Sequence, residues 1–348
     1  MATLTVSSGY AHGLLALAVA KGADHGALLE QSGIAESALQ DFDGRIPFAN
    51  YIALMRAAKA LSRDPALGLH YGETSNLSDV SVVGLVMQSA TNIDDAFKLL
   101  NRFVPLIIET KNTDDGERFT LREARDGVWV VDNRLHADSF PELTESAFAS
   151  LVSGPRRYGA PPFVKAMRVT HPDPGHAREY RRIFDVAVTF GARENAYLVD
   201  RRLVAQKEVP PLPPYLFGVL SARAEALLRE LDDARSARGQ VERLLMSVLH
   251  KGEVSMQAVA KQMGVSRRTL LRRLQQEGVT FEAVVDQLRH RLALDYLAGP
   301  RATVYEAGYL VGFSTPAAFS RAFKRWTGCS PSEVRGRLRG TTRERLLA

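Results

Sequence analysis

Two runs of the chain carry side chains suited to reading a polyanion. In the first, Ser266, Arg267, Arg268, Thr269, Arg272 and Arg273 fall within one helical stretch; in the second, Thr315, Ala317, Ser320, Arg321, Lys324 and Arg325 do the same. A guanidinium presents paired donors that fit guanine O6 and N7 or a phosphate, and a threonine methyl can meet the methyl of thymine. A helix turns about 100° per residue, so these groups cannot all face one way. Arg268 and Arg272 share one face, as do Thr269 and Arg273. Arg268, Thr269 and Arg272 are therefore expected nearest the bases, with Arg267 and Arg273 toward phosphates. Thr315, Ala317, Ser320, Arg321 and Lys324 form the outward set of the second run, and Arg325 also lies off its apolar face. The N-terminal end of each helix adds free N–H groups and a positive dipole for phosphate.

The elements that must hold these side chains occur twice. Thr303 can cap a helix to about Leu310, and Glu306 completes a capping-box pattern. Val311-Gly312-Phe313 is the turn, with Gly312 supplying a positive φ. Ser314 is expected to cap the next helix, and Pro316 suits its first turn. Phe319, Phe323 and Trp326 recur at i, i+4 and i+7, which marks a buried face. Upstream, Ser255 is expected to cap a helix to about Gln262. Met263-Gly264-Val265 turns, and Ser266 caps a second helix with Leu270 and Leu274 inward. The two turn glycines are 48 residues apart, and the second helices match at an offset of 49, Leu270 with Phe319 and Leu274 with Phe323. One supersecondary unit is thus duplicated. A short helix, a glycine turn and a basic second helix describe a helix-turn-helix, whose second helix enters the major groove. The connecting helix, Phe281–Ala298, spans roughly 25–27 Å at 1.5 Å per residue. The same face of the major groove returns every ~34–36 Å. A stiff connector of this length can place both reading helices in successive groove segments.

The stretch from about Arg238 to Arg335 resembles the DNA-binding domain of the AraC/XylS family of bacterial transcription regulators. The resemblance rests on the doubled helix-turn-helix, on the Gly312–Arg325 run with its Phe319-Ser320-Arg321 and Phe323-Lys324-Arg325, and on the ending Gly328-Cys329-Ser330-Pro331. It implies one protomer reading two groove segments. The chain departs from the family at Gly308, where alanine is usual; both residues are small enough for close helix packing.

Charge is distributed to match. The 348-residue chain has a formal net charge of +6, yet residues 236–348 hold 19 Lys and Arg against 9 Asp and Glu, and the remainder is mildly acidic. A basic helical module on a larger acidic part is the electrostatic footprint of a DNA binder. The length allows two or three domains and a sizeable core. Hydrophobic content of 45% and charged content of 24% are ordinary for a soluble globular protein. The single cysteine, Cys329, excludes an intrachain disulfide and suits a reducing cytoplasm. No run of eighteen apolar residues occurs, so no membrane span is expected. Leu14–Ala20 has the apolar character of a signal segment but no basic residue precedes it, and it reads as part of a buried helix, Tyr10–Lys21.

Before the basic module the pattern is mixed. Residues 1–105 carry helical periods: 10–21, an Asp24-capped helix to Gln31, a turn at Glu36–Gln40, and an amphipathic helix about Ala49–Leu61 with Ile52, Met55 and Leu61 inward. Further helices are expected from Asp64-Pro65 to about Glu73, over Val82–Ser89 and over Asp94–Phe103. From Leu106 the runs Leu106–Asn112, Arg118–Arg122 and Val128–Asn133 are rich in β-formers. Asp114-Asp115-Gly116 and Asp126-Gly127 separate them as hairpin signals, which predicts three antiparallel strands. A helix from Pro141 to about Tyr158, a strand near Lys165–Thr170, a helix over Ala177–Phe184, and strands at Val186–Phe190 and Ala196–Val199 follow. The expected fold class is an α+β N-terminal sensor domain followed by an all-α C-terminal domain with two helix-turn-helix units. His171-Pro172-Asp173-Pro174, Tyr180-Arg181-Arg182 and Phe190–Val199 resemble the sensor domain of one branch of the same family, helix-rich and unlike the all-β cupin of the arabinose regulator. The expected limits are 5–205 for an effector-sensing and dimerisation domain, 206–238 for a linker, and 239–338 for the DNA-binding domain. The linker holds the stiff proline-rich stretch 209–214, a helix over Leu216–Asp232 and a polar link at Ala234–Gly239. Gln240–His250 then opens the DNA-binding domain as a support helix.

No catalytic, metal or cofactor site is expected. The histidines lack helical His/Glu metal spacing, and His171 and His176 flank a proline turn. There is no glycine-rich phosphate or dinucleotide loop and no nucleophile elbow. Cys329 sits in the final turn and is not read as a nucleophile. The competing readings are a DNA-associated enzyme and an architectural DNA binder; the latter would not need so large an α+β domain. That domain either dimerises only or also senses a small molecule, and the resemblance favours the sensor. The expected partners are double-stranded DNA at a promoter or operator, a small-molecule effector and a second copy in a homodimer, with RNA polymerase possible and no membrane. Tyr51, His70, Tyr71, Trp129, Arg134, Arg168 and Tyr197 could line a pocket, and each is as easily core or surface. Effector identity and the sign of regulation are not legible.

Overall fold

The computed structural model describes residues 4–90, 92–113, 116–157, 159–201, 213–246, 248–252, 254–299 and 302–337. Most of the proline-rich stretch expected at 209–214 lies outside these residues, as do Asp114-Asp115, Tyr158 and Pro300. The chain divides into two compact units, Met1–Arg229 and Glu230–Ala348.

The N-terminal unit opens with β1 (Thr5–Ser7), antiparallel to β2 (Arg45–Pro47) with Val6 opposite Ile46. Ser7 caps α1 (Ser8–Ala20), its hydroxyl accepting from the Tyr10 N–H. Asp24 caps α2 (His25–Ser32) through the Ala27 N–H. In α3 (Phe48–Leu61) the buried stripe is Tyr51, Leu54, Met55, Ala57 and Ala58. Ile52 and Leu61, expected inward, are only half-buried. α4 (Leu67–Thr74) starts later than expected because the Asp64 carboxylate closes a turn on the Ala66 N–H at 3.1 Å. α5 (Leu77–Val80), α6 (Val82–Met87) and α7 (Ile93–Ile107) follow.

The strand expected from Leu106 does not form there. Phe97, Leu100, Phe103, Val104 and Ile107 continue a helical period of buried residues through Pro105 to the end of α7. Past it, among the described residues before Phe119, the chain makes single bridges, Ile108 to Val6 and Asn112 to Arg134. β-forming composition was outweighed by a buried face at helical spacing. The Asp126-Gly127 hairpin does form, between β3 (Phe119–Ala124) and β4 (Gly127–Asp132). They join β5 (Val164–Arg168), β6 (Val188–Thr189) and β7 (Asn195–Val199) in a sheet of order β3-β4-β7-β5-β6. All pairs are antiparallel except β5 with β6. One face carries Leu121, Val130, Tyr197 and Met167 in register, and Phe148 of α8 (Glu142–Arg157) meets the Tyr197 ring edge-on at 5.0 Å. α4 packs on α8 at backbone range: a Cβ on Gly72 would lie 2.1 Å from the Ser146 carbonyl oxygen. α9 (Ala177–Phe184) has the expected limits. α10 (Pro214–Arg235) runs through the division between units, and ion pairs Arg102–Glu225 and Arg223–Asp43 hold its first part to the N-terminal unit.

The C-terminal unit is helical. The expected polar link shrinks to Ser236, since α11 (Ala237–Met246) begins right after α10. Glu277 accounts for this by accepting from the Ala237 and Arg238 N–H groups at 2.6 and 3.0 Å, a carboxylate seated on a helix start. α12 (Met256–Gln262), α13 (Arg267–Gln276), α14 (Phe281–Ala298), α15 (Val304–Leu310) and α16 (Pro316–Thr327) complete the order. Helix 331–337 follows. Two apolar cores share α14. Phe281, Val284, Val285 and Leu288 enter the first with Leu270 and Leu274; Ala293 and Leu297 enter the second with Phe319 and Phe323; Leu292 borders both.

Candidate nucleic-acid interface

α12, its turn and α13 form the first helix-turn-helix unit. Gly264 takes φ +66° between the helices. Ser255 stands at the start of α12 but makes no capping bond, contrary to expectation. Ser266 does cap α13, accepting from the Thr269 N–H at 3.1 Å, and its hydroxyl also pairs with that of Thr269 at 2.9 Å. With Leu270 and Leu274 fully buried, Arg268 and Arg272 project opposite the core and are exposed. Arg267 is exposed on a flank, and Thr269 and Arg273 are half-buried on the other.

The second unit is α15, its turn and α16. Thr303 and Glu306 form the complete capping box, and the backbone N–H and hydroxyl of Thr303 hold the Glu306 carboxyl below its ordinary range. Gly312 takes φ +84°. The cap of α16 is Thr315, not Ser314: its hydroxyl accepts from the Ala318 N–H at 3.3 Å. Pro316 explains the shift, because proline prefers the first helical position and holds the residue before it extended. Thr315 is exposed, though its hydroxyl is engaged in the cap. Phe319, Ala322 and Phe323 are buried, so Ala317, Arg321 and Lys324 form the ridge facing away, all exposed; Ser320 is half-buried. Arg325 is exposed on a flank and pairs with Asp286 of α14 at 2.6 Å. Arg267, Arg268, Arg272, Arg273, Arg321 and Lys324 make no ion pair among the described residues.

The turn of the second unit is fastened to α14. Arg289 donates from Nε to the Val311 carbonyl at 3.1 Å, and its guanidinium lies 4.9 Å from the Phe313 ring centre. Two exposed tyrosines, Tyr305 and Tyr309, are absent from the expected set. With Tyr296, Leu310, Asp295 and Glu306 they line a groove of about 720 Å³ beside α15. Their i, i+4 spacing on the first helix was the available signal.

The seven candidate pocket residues are not brought together. Tyr51, Tyr71 and Tyr197 are core, with the Tyr71 hydroxyl donating to the Tyr10 carbonyl at 2.6 Å. His70 sits between Asp64 and Glu179 at 2.6 and 3.1 Å. Arg168 stacks over Trp129 at 3.9 Å and pairs with Glu194. Arg134 is buried, donating to the Ala137 and Phe140 carbonyls. Among the described residues, no group of three or more His, Cys, Asp or Glu side chains is placed to hold a metal, and no helix is long and apolar enough to cross a membrane.

Comparison with known proteins agrees with this architecture. Residues 22–207 match the family model described as the arabinose-binding domain of AraC transcription regulator, N-terminal, and residues 259–337 match a helix-turn-helix domain. The chain is similar to the ornithine utilization regulator of Pseudomonas aeruginosa, 29% identical over 94% of this chain and 95% of that one. It is also similar to the transcriptional regulator VirS of Mycobacterium tuberculosis, 23% identical over 84% of this chain and 85% of that one. Among solved structures it is similar to the transcriptional regulator CdpR of Pseudomonas aeruginosa, 25% identical over 82% of this chain and 90% of that one, with a TM-score of 0.40. With its ligand-binding-type N-terminal domain and helix-turn-helix C-terminal domain, the chain belongs to the AraC family of DNA-binding transcription regulators.

Proposed function

We propose that this regulator recognises a promoter or operator by setting α13 and α16 into two successive major-groove segments, under the control of a small molecule held by the N-terminal unit. The observation that supports this is the pair of cationic ridges, Arg268/Arg272 and Arg321/Lys324, each opposite a buried apolar face and each on the second helix of its unit. On this reading Arg268 and Arg272 contact base edges, with the Thr269 methyl available to thymine. Arg267, Arg273 and the helix starts at Ser266 and Thr315 contact phosphates, and Ala317, Ser320, Arg321 and Lys324 read the second segment. Arg325 has a secondary part because Asp286 holds it. The functional limits are taken as 5–205 for sensing and dimerisation, 206–238 for the linker and 239–338 for DNA binding. The relatives are named as regulators, which favours a non-enzymatic role. The name of the ornithine utilization regulator makes amino acids a first choice when effectors are tried.

Selection of duplexes from a random pool by the full-length chain tests the reading. The expected result is a bipartite site whose two blocks lie about one helical turn, roughly 10–10.5 base pairs, apart. Recovery of no preferred sequence would overturn it. Repeating the binding with candidate metabolites tests effector control, and sedimentation tests dimerisation.

A further inference from the structure

Deep in the N-terminal unit, the guanidinium of Arg118 is short of the partners that burial demands. The Arg118 side chain is 3% exposed, and its Nη2 has no hydrogen-bond partner. Its ion pair, from Nε to Asp132 Oδ1, is stretched to 3.4 Å. Asp132 is shared already: Oδ1 accepts from the Arg134 backbone N–H, and Oδ2 from the Thr144 hydroxyl at 2.9 Å. Arg134 is buried too, and burial, partly offset by the charge of Asp132, brings it down to about 10. Two buried guanidiniums therefore lean on one buried carboxylate.

Hydroxyls gather at the same place. Burial pushes the Tyr10 phenol up, and the Ser146 hydrogen bond and the Arg118 charge offset part of that. Tyr10 Oη lies 3.2 Å from Ser146 Oγ. The Tyr51 ring is 5.6 Å from that of Tyr10, and its fully buried hydroxyl acts on the Tyr10 phenol without making a hydrogen bond of good geometry. An under-paired buried charge and an under-paired buried hydroxyl, both bordering Tyr10, are costly for a core to hold. A core built for stability alone would fill the place with apolar side chains or a second carboxylate.

We infer that Arg118, Tyr51, Tyr10 and Ser146 form the head-group site of a small carboxylate effector. Arg118 Nη2 donates to one carboxylate oxygen and the Tyr51 hydroxyl to the other, so both unsatisfied donors are met at once. A planar carboxylate fits the guanidinium fork, and its single charge is what one guanidinium lacks. The inference rests on the effector reading above and gives it a ligand class.

The test uses the full-length protein in thermal-shift and calorimetric titrations. The probes are benzoate, succinate, octanoate and L-ornithine, each beside its carboxamide, with L-arabinose as an uncharged probe and inorganic phosphate as a dianion. A carboxylate is expected to raise Tm by roughly 5–10 °C at a hundredfold excess over its Kd, and its amide is not. Arg118→Gln should abolish the shift. Tyr51→Phe removes only an oxygen without a well-formed hydrogen bond, so it should leave the Tm of the free protein equal or higher while weakening carboxylate binding about tenfold; it carries the test if Arg118→Gln does not fold. Carboxylates that stabilise no more than their amides, or carboxylate binding untouched by Tyr51→Phe, would overturn the inference. Binding of arabinose or phosphate alone, untouched by either substitution, would also overturn it while leaving effector control standing.

Discussion

Replacing Gly308 by alanine, the usual residue in the family, should destabilise this protein although it improves the helix. In the interior of a helix, alanine is favoured over glycine by about 0.8–1 kcal/mol. Against that, a Cβ at Gly308 would lie 2.9 Å from Phe319 Cγ, 3.0 Å from Cδ1 and 3.1 Å from Cβ. Carbon atoms in contact normally keep about 3.5–4.0 Å. The atoms in the way are the root of the side chain, not its flexible end. The Phe319 ring is fully buried, with Phe313 and Phe323 at 5.7 and 5.6 Å, so it has little room to turn. Overpacking of this kind costs about 1–3 kcal/mol, and the net loss should be about 1 kcal/mol. Trp326 borders this core and reports on it. Urea unfolding followed by Trp326 fluorescence in a Trp129→Phe background measures the change. Phe319→Leu in the Gly308→Ala chain should recover about 1 kcal/mol as a coupling energy. A rise in the urea midpoint of the single variant would refute the reasoning, because the propensity term would then have won. Both residues are small enough for close helix packing in general, but the position of the Phe319 root crowds a Cβ at this one.

Arg272→Ala should weaken operator binding by about 1–3 kcal/mol and relax preference at one position; binding isotherms on a set of single-base variants check this, and a uniform loss would demote Arg272 to a phosphate contact. Arg325→Ala should cost less affinity than Arg321→Ala and at most about 1 kcal/mol of stability, because its pair with Asp286 is largely exposed; a larger affinity loss than for Arg321→Ala would put Arg325 in the groove. Hydrogen bonds from Arg182 and from Arg122 hold Glu179 and Glu194 below their ordinary range. Their contribution is therefore full above the unfolded value of about 4.3 and is lost as pH falls through the folded values. Chemical denaturation between pH 6 and 3 should show the acid limb, and Arg182→Gln should flatten it; an unchanged limb would refute the assignment.

The reading units were legible because each rule that locates them is local. The capping box at Thr303, the turn glycines, and α14 and α15 all stand at the expected residues. Where two local rules competed, the harder steric one prevailed: serine is the slightly better cap, but Pro316 fixed the cap at Thr315. The misses in the N-terminal unit are tertiary. Nothing in Leu106-Ile107-Ile108 by itself says helix; the buried row from Phe97 does. Arg118 stood inside an expected strand, and its burial without a full partner depends on α1 and α8, which only the fold brings beside it. The candidate pocket aromatics could not be sorted from sequence for the same reason, since a tyrosine in sequence carries no sign of whether its hydroxyl will find a partner.

The duplication is not two independent beads, and its two turn glycines test this as a matched pair. Both have positive φ, +66° at Gly264 and +84° at Gly312. A Cβ at Gly264 would meet nothing within 4 Å, so Gly264→Ala should cost about 1–2 kcal/mol, the backbone term alone. A Cβ at Gly312 would lie 2.1 Å from the carbonyl oxygen of Leu249, whose side chain belongs to the first core. Backbone cannot swing aside, so Gly312→Ala must push the second unit off the first or distort the turn, at about 3 kcal/mol or more. The same turn is held from α14 by Arg289. If the spacing of the reading helices is fixed jointly by α14 and this approach, Gly312→Ala should lose far more affinity on a bipartite duplex than on one with its second block scrambled. Gly264→Ala should leave the ratio between the two duplexes unchanged once the folded fraction is accounted for. Equal ratios for both variants would mean that α14 alone sets the spacing, and that the contact at Leu249 serves packing only.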